Sequence, residues 1–328
     1  MKIAVIGGGS WGTALGQLLA GKEHDVRLLV RRGEQAEEIN TVRQNSRYLP
    51  GLTLAAGLCA TTDAGHALSG AHTIVLASPA QEMGAYLRKV REYIAPKACL
   101  VCASKGIEVT TLRPMQEVVL EVLPGRGYAA LSGPSFAREV MEERPTAVAL
   151  GCADEALGRS LCEVFSSAFF RTYWNEDVRG VELGGAFKNV IAIAVGISDG
   201  MENGTNARAA LITRGLAEIM RLGTALGANP ATFMGLSCAG DLVLTCTGAL
   251  SRNRQVGLAL GRGESLADII KGMHMVAEGV KTTDAVCALG TKMGVELPIA
   301  SAMHRVMHEG LAPSRAIEEL MTRALREE

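Results

Sequence analysis

Aromatic residues are scarce in this chain: Phe, Trp and Tyr make up 4% of its 328 residues. The interior must therefore be built from small and aliphatic side chains, and 38 glycines point to close backbone packing and several tight turns. A charge excess is lacking too, since 33 Lys and Arg face 34 Asp and Glu. Proteins that neutralise nucleic-acid phosphates usually carry a basic surplus, so a nucleic-acid partner is not expected. No apolar run reaches the ~20 residues of a membrane span. The opening MKIAVIG runs straight into a strand-like pattern, too short for a secretory apolar region. A cytoplasmic protein with reduced thiols is the expectation from these features.

The eight cysteines carry no metal signature. Cys99 and Cys102 form a C-x-x-C, but a strand would point the two side chains to opposite faces. No second pair completes a zinc site. His304 and His308 stand at i, i+4 with no third ligand evident, which reads as a solvated helix face. No metal is expected. No Pro/Ser-rich linker, repeat or low-complexity segment appears.

What is present is alternation. Apolar runs at Lys2–Ile6, Val26–Val30, Thr73–Ala77, Cys99–Ala103, Ala129–Leu131 and Thr146–Leu150 read as strands. Helical patterns lie between several of them, at Trp11–Ala20 and about Gln81–Tyr93. Such alternation argues for an α/β, Rossmann-type, doubly wound and mostly parallel sheet. After about residue 180 the strand signals fade and helical segments run to Arg326. The expected organisation is a dinucleotide-binding domain at 1–180 and an all-helical substrate and catalytic domain at 181–328, sharing an interface.

Gly7-Gly8-Gly9-Ser10-Trp11-Gly12 is a G-x-G-x-x-G directly after a strand and opening a helix. In that context it is a dinucleotide signature. Gly7 permits the tight turn, Gly9 lets a pyrophosphate approach the backbone, and Gly12 lets helix and strand pack closely. The N–H groups at the helix start hold the phosphates. The second strand ends in Arg31-Arg32 rather than in an acid. Two guanidiniums there can pair a 2′-phosphate, so NADP is expected as a coenzyme beside NAD. A solvated surface pair is the alternative.

Chemistry beyond the coenzyme centres on Gly184–Gly196, small or apolar on nearly every face, with Lys188 as its only charge. Burial lowers the pKa of an ammonium and suits it to proton shuttling, unless the lysine snorkels to the surface at the helix start. Asp241 either orients such a lysine or caps a helix, and the local sequence serves both readings equally. Ser251-Arg252-Asn253 begins a helix and offers a small phosphate site, or Ser251 merely caps it. Lys105 follows a strand, where ligands of doubly wound sheets bind, and Gly133 and Ser135 follow another. Together these point to hydride transfer on a small phosphorylated alcohol or ketone.

The motifs also form a recognisable series: Gly7–Ala14, Tyr48-Leu49-Pro50-Gly51, Ser104–Glu108, Gly133–Ala137, Lys188-Asn189-Val190, Gly240-Asp241-Leu242, Ser251–Arg254 and Ala277–Val280. In this the chain resembles, nearly end to end, the bacterial type of NAD(P)-dependent sn-glycerol-3-phosphate dehydrogenase. The resemblance implies reversible reduction of dihydroxyacetone phosphate to sn-glycerol 3-phosphate, the precursor of the phospholipid backbone. It implies that Lys188 exchanges a proton with the C2 oxygen and that Lys105 contacts substrate and coenzyme. Gly133, Ser135, Asp241, Ser251, Arg252 and Asn253 would line the substrate site. Ser10, Trp11, Arg31, Arg32, Tyr48, Ala137, Arg252, Val276 and Glu278 would touch the dinucleotide. The helical half would be of the 6-phosphogluconate dehydrogenase-like kind. A homodimer is the expected assembly. The chain departs from the family pattern at Ser237-Cys238-Ala239, at Val30 and at Ser78-Pro79-Ala80. Another dehydrogenase of the same build, acting on a different hydroxy acid, and an inactive dinucleotide-binding regulator are the competing readings.

Overall fold

The structure, a computed structural model, describes residues 1–273 and 277–324. Eight strands form one sheet: β1 (Lys2–Ile6), β2 (Asp25–Leu29), β3 (Leu58–Thr61), β4 (Thr73–Leu76), β5 (Cys99–Cys102), β6 (Tyr128–Ser132), β7 (Thr146–Gly151) and β8 (Phe170–Asn175). Their order is β3-β2-β1-β4-β5-β6-β7-β8. Every neighbouring pair is parallel except β6 with β7. The doubly wound expectation is borne out. The inner strands read KIAVI, TIVL, CLVC and YAALS and are buried almost throughout. A strand covered on both faces needs such a continuous apolar run.

The sequence reading did not find β3 and β8. Both lie at sheet edges and only part of each is buried. A short edge strand leaves a weaker apolar pattern than an inner one. The segment read as one helix at about Gln81–Tyr93 is an α-helix over Ala80–Val90 followed by a 3₁₀ turn over Arg91–Tyr93.

The chain divides into two compact units, one of Met1–Lys105 with Pro114–Glu182, the other of Gly106–Arg113 with Leu183–Glu328. In the first unit β1 and β4 adjoin where the strand order reverses. Ligands of open α/β sheets bind outside the carboxyl ends of the strands at such a point. The helices there are α1 (Ser10–Ala20), α2 (Gly33–Glu37), α3 (Ala64–Leu68), α4 (Ala80–Val90), α5 (Met115–Val122), α6 (Ala137–Met141) and α7 (Glu155–Phe165). At the end of α7 the Ser166 N–H donates to the Cys162 carbonyl, and Lys22 serves further carbonyls there. Its ammonium donates to the carbonyls of Glu163, Val164 and Ser166 at 2.5–2.9 Å.

The second unit is helical. Its elements are α8 (Val178–Gly200), whose first turn belongs to the first unit, α9 (Gly204–Ala225), α10 (Asp241–Thr247), α11 (Arg252–Gly261), α12 (Leu266–Gly272), α13 (Glu278–Met293), α14 (Pro298–His308) and α15 (Pro313–Met321). α8 is long and apolar enough to cross a membrane, yet its apolar window is wholly buried inside the protein. It is a core helix of this unit, with α9, α10, α11 and α13 against it. A Cβ on Gly196 would stand 2.3 Å from the Arg254 carbonyl oxygen, and one on Gly257 would stand 2.2 Å from that of Ile193. Glycine therefore lets α8 and α11 cross backbone against backbone.

Two buried carboxylates cap helices that have no side-chain cap of their own. Glu218 of α9 accepts the N–H groups of Ile299 (2.6 Å) and Ala300 (3.2 Å) at the start of α14. Glu182 accepts the Gln116 N–H at the start of α5 and the Tyr128 hydroxyl proton. Burial pushes each carboxyl up to about 7, against the pull of the hydrogen bonds they accept.

All eight cysteines are free. Burial pushes the Cys99 and Cys102 thiols up to about 12, so both are inert core residues. The face bearing His304 and His308 is not simply solvated. Asp284 Oδ1 lies 3.0 Å from His308 Nε2 and 3.7 Å from His304 Nε2. Among the described residues, no group of three or more His, Cys, Asp or Glu has the arrangement of a metal site.

Candidate active site

In the first unit β1 hands the chain to the glycine turn and the turn to α1. Gly7 has φ +113°, and a Cβ there would stand 2.6 Å from the Ala77 carbonyl oxygen at the end of β4. A Cβ on Gly12 would stand 1.9 Å from the Gly7 carbonyl oxygen. The fold itself requires these two glycines. Gly9 differs, because a Cβ there would meet nothing within 4 Å. The packing leaves open space where a pyrophosphate needs it. Gly9 is also the N-cap of α1 and offers no side-chain cap. The indole Nε1 of Trp11 is buried without a hydrogen-bond partner. These features fit a dinucleotide: an uncapped helix start, a cradle with no side chain in it, and an orphaned donor beside it.

Arg31 and Arg32 stand just beyond β2. Arg31 Nη1 lies 3.1 Å from Glu82 Oε2, and both side chains are more than half exposed. The Arg32 guanidinium lies 5.9 Å from the centre of the Tyr48 ring. An exposed pair of this kind is weak. A dianionic 2′-phosphate can therefore compete for Arg31.

Lys105, Gly133 and Ser135 are brought together after β5 and β6. Lys105 Nζ donates to the Gly133 carbonyl at 3.1 Å, and Ser135 Oγ donates to the same oxygen at 3.0 Å. A Cβ on Gly133 would stand 2.8 Å from Val148 Cα. Ala137 opens α6.

In the second unit, Lys188 of α8 is 5% exposed and so does not snorkel. Its ammonium donates to Asp241 Oδ1 at 2.9 Å and to Thr245 Oγ1 at 2.6 Å. The Thr245 hydroxyl reaches the same Asp241 oxygen at 3.2 Å. Asp241 is the first residue of α10, whose N-cap is Gly240. Its side chain thus balances the lysine and does not cap the helix. Of the two readings of Asp241, the one that sets it against the lysine has its counterpart here, and the carboxylate offsets the burial by favouring the charged form. The reading missed Thr245. The signal was present, because Thr245 lies four residues after Asp241 and so shares its helix face.

The capping reading of Ser251 has its counterpart here. Its hydroxyl accepts the Arg254 N–H at 3.2 Å and caps α11. Asn253 Nδ2 donates to Asn189 Oδ1 at 2.8 Å, and its Oδ1 accepts the Gly279 N–H at 3.0 Å. A Cβ on Gly279 would stand 2.8 Å from that Oδ1. Asn253 therefore spans α8, α11 and the start of α13. Burial pushes the Arg252 guanidinium down, while the nearby Glu278 carboxylate opposes the shift. Arg254 is committed elsewhere, with Nε and Nη2 on Asp199 at 2.9 and 2.6 Å. Val276, expected beside the dinucleotide, lies outside the described residues. Ser237-Cys238-Ala239 form part of a π-turn over Leu236–Gly240 that leads into α10. Cys238 there packs so closely on α8 that a Cβ on Gly184 would stand 2.6 Å from its own.

A buried amine gripped by a carboxylate and a hydroxyl can hold and deliver a proton. A glycine turn at the switch point of a doubly wound sheet can hold a dinucleotide. Fold and sites together define an NAD(P)-dependent oxidoreductase. The family model described as NAD-dependent glycerol-3-phosphate dehydrogenase N-terminus matches residues 2–158, and the corresponding C-terminus model matches 177–318. The glycerol-3-phosphate dehydrogenase (NAD(P)+) of Nitratidesulfovibrio vulgaris strain DP4 is 59% identical over the whole of both chains. The enzyme of the same name from Oleidesulfovibrio alaskensis is 57% identical, again over the whole of both chains. The crystal structure of glycerol-3-phosphate dehydrogenase from Coxiella burnetii superposes with a TM-score of 0.94 at 40% identity, covering 98% of each chain. The chain belongs to the NAD-dependent glycerol-3-phosphate dehydrogenase family.

Proposed function

We propose that the protein catalyses the reversible reduction of dihydroxyacetone phosphate to sn-glycerol 3-phosphate, using NADPH or NADH. The observation that carries this reading is the buried Lys188 amine, held by Asp241 and Thr245, in a chain of this family. When bound, the nicotinamide supplies the hydride, which no side chain can.

Lys188 donates the proton to the C2 oxygen during reduction and recovers it in the reverse direction. Asp241 holds the amine in place and balances its charge. Lys105 and Ser135, gathered on the Gly133 carbonyl, contact the substrate, and Lys105 also contacts the coenzyme. The start of α11 receives the phosphate through Arg252, with Ser251 and Asn253 ordering that turn. Gly7, Gly9, Ser10, Trp11 and Gly12 take the pyrophosphate. Arg31 and Arg32 take a 2′-phosphate. Tyr48, Ala137, Arg252, Val276 and Glu278 complete the coenzyme site. Residues 1–180 serve as the dinucleotide domain and 181–328 as the substrate and catalytic domain. The enzyme is cytoplasmic, takes no nucleic-acid partner, assembles as a homodimer, and provides sn-glycerol 3-phosphate for phospholipid synthesis.

Lys188→Met tests the proton-transfer role. It should bind NADPH as the wild type does and lose about 10²-fold or more in kcat. Near-normal kcat would remove Lys188 from the reaction.

A further inference from the structure

The glycine turn is held by side chains that the coenzyme reading leaves unassigned. We propose that Gln35 and Asn45 are positioning residues for the dinucleotide: their buried amides pin the Gly8 carbonyl inward and so direct the turn's next N–H outward. The proposal deepens the coenzyme reading and rests on it.

Gln35 lies in α2, three residues beyond Arg32, and is 6% exposed, while Asn45 is 0% exposed. Gln35 Nε2 donates to the Gly8 carbonyl at 2.6 Å, and Asn45 Nδ2 donates to the same oxygen at 3.1 Å. Gln35 Nε2 also lies 3.3 Å from Asn45 Oδ1, and Asn45 Nδ2 donates to Thr13 Oγ1 of α1 at 2.8 Å. A Cβ on Gly8 would stand 2.4 Å from Val30 Cγ1 and 2.8 Å from Gln35 Nε2, so glycine admits both side chains there. Burying two primary amides costs free energy that an apolar pair would avoid, unless their hydrogen bonds are needed. The need follows from peptide geometry. The Gly8–Gly9 peptide is trans, so its C=O and N–H point in opposite directions. Pinning the oxygen towards Gln35 and Asn45 sends the Gly9 N–H to the other side. Gly9 is also the glycine whose Cβ position is open space.

Asn45 does a second thing. Its own carbonyl accepts the N–H groups of Tyr48 (3.1 Å) and Leu49 (2.8 Å). The same residue thus ties the pyrophosphate turn to the segment bearing Tyr48. Gln35 ties it to the segment bearing Arg31 and Arg32. The pyrophosphate turn and the segments bearing Arg31, Arg32 and Tyr48 are thus held on a single hydrogen-bonded frame.

The test measures NADPH dissociation constants by calorimetry, together with amide hydrogen exchange of the free protein. Gln35→Met keeps the length and removes the donor. Its Kd for NADPH should rise about tenfold, the worth of one lost hydrogen bond. kcat at saturating coenzyme should stay within about twofold of wild type. Exchange at the Thr13 amide, which is bonded to the Gly9 carbonyl at 3.0 Å, should quicken about tenfold without coenzyme. Thr13→Ser keeps the acceptor and should bind as the wild type does. Thr13→Val removes the acceptor at the edge of the network and should raise Kd about threefold, which keeps the test valid if Gln35→Met does not fold. A folded Gln35→Met with unchanged Kd and unchanged Thr13 exchange would overturn the proposal. Failure of the wild-type protein to bind NADPH would overturn the coenzyme reading instead, and Thr13 exchange would still decide whether the amides order the turn.

Discussion

Replacing Asp241 with Asn removes one charge from a deeply buried ion pair and leaves its shape nearly intact. The Lys188 and Asp241 side chains are 7% and 2% exposed, with 2.9 Å between Nζ and Oδ1. Breaking a buried pair on one side strands the other charge and costs about 3–5 kcal/mol. Thr245 Oγ1 remains 2.6 Å from the amine as a neutral partner, which favours the lower end, about 3 kcal/mol. The stranded lysine can escape by releasing its proton. In the variant its folded pKa then falls below the unfolded value of about 10.4. Between those two values the unfolded chain binds one more proton than the folded one, so stability rises with pH. Urea unfolding of the wild type, Asp241→Asn, Lys188→Met and the double variant, near neutral pH and at about pH 9.5, reads both effects. Asp241→Asn should lose about 3 kcal/mol near neutrality and recover at least about 1 kcal/mol of it at the higher pH. The double variant should be more stable than Asp241→Asn alone, because no charge is stranded. A loss under about 1 kcal/mol, or no recovery at high pH, would refute a charged lysine held by this carboxylate.

Three further outcomes follow from particular contacts. Gly9→Ala should unfold as the wild type does but bind NADPH at least about tenfold more weakly, whereas Gly12→Ala should destabilise the fold itself, since its Cβ would sit 1.9 Å from a carbonyl oxygen. Thermal unfolding and coenzyme titration separate the two effects, and equal NADPH affinity in Gly9→Ala would place the phosphates elsewhere. Arg252→Ala should raise KM for dihydroxyacetone phosphate by about 10²-fold and that for unphosphorylated dihydroxyacetone little, in steady-state kinetics. Glu218 keeps its proton to about 7 in the folded state, against 4.5 for the ordinary carboxyl. Stability therefore falls as pH rises between those values. Glu218→Gln should remove this residue's share of the fall in urea unfolding from about pH 4.5 to 7, leaving that of Glu182.

The inner sheet was legible in the sequence because strands covered on both faces must be apolar throughout, and β1, β4, β5 and β6 are. β3 and β8 were not, since an edge strand carries a fainter apolar pattern and competes with the loops around it. Lys188 stood out as the only charge on an apolar helix, and burial at that position made it a candidate before any partner was known. Its partners were less visible. Asp241 is separated from it by 53 residues and Thr245 by 57, and only tertiary packing brings three helical turns to one point. Ser251 shows the limit of local reasoning, because its hydroxyl serves as a cap even where the turn it caps is the proposed phosphate site. Gln35 and Asn45 left no local mark at all. A buried amide in sequence looks like any surface Gln or Asn until the carbonyl it holds is located.

The most direct measurement is steady-state reduction of dihydroxyacetone phosphate by the full chain with NADPH and with NADH, followed by the loss of nicotinamide absorbance. Turnover of dihydroxyacetone phosphate, with sn-glycerol 3-phosphate as the product and unphosphorylated dihydroxyacetone a far poorer substrate, is the expected result. Turnover confined to unphosphorylated hydroxy or oxo acids, with none of dihydroxyacetone phosphate, would contradict it.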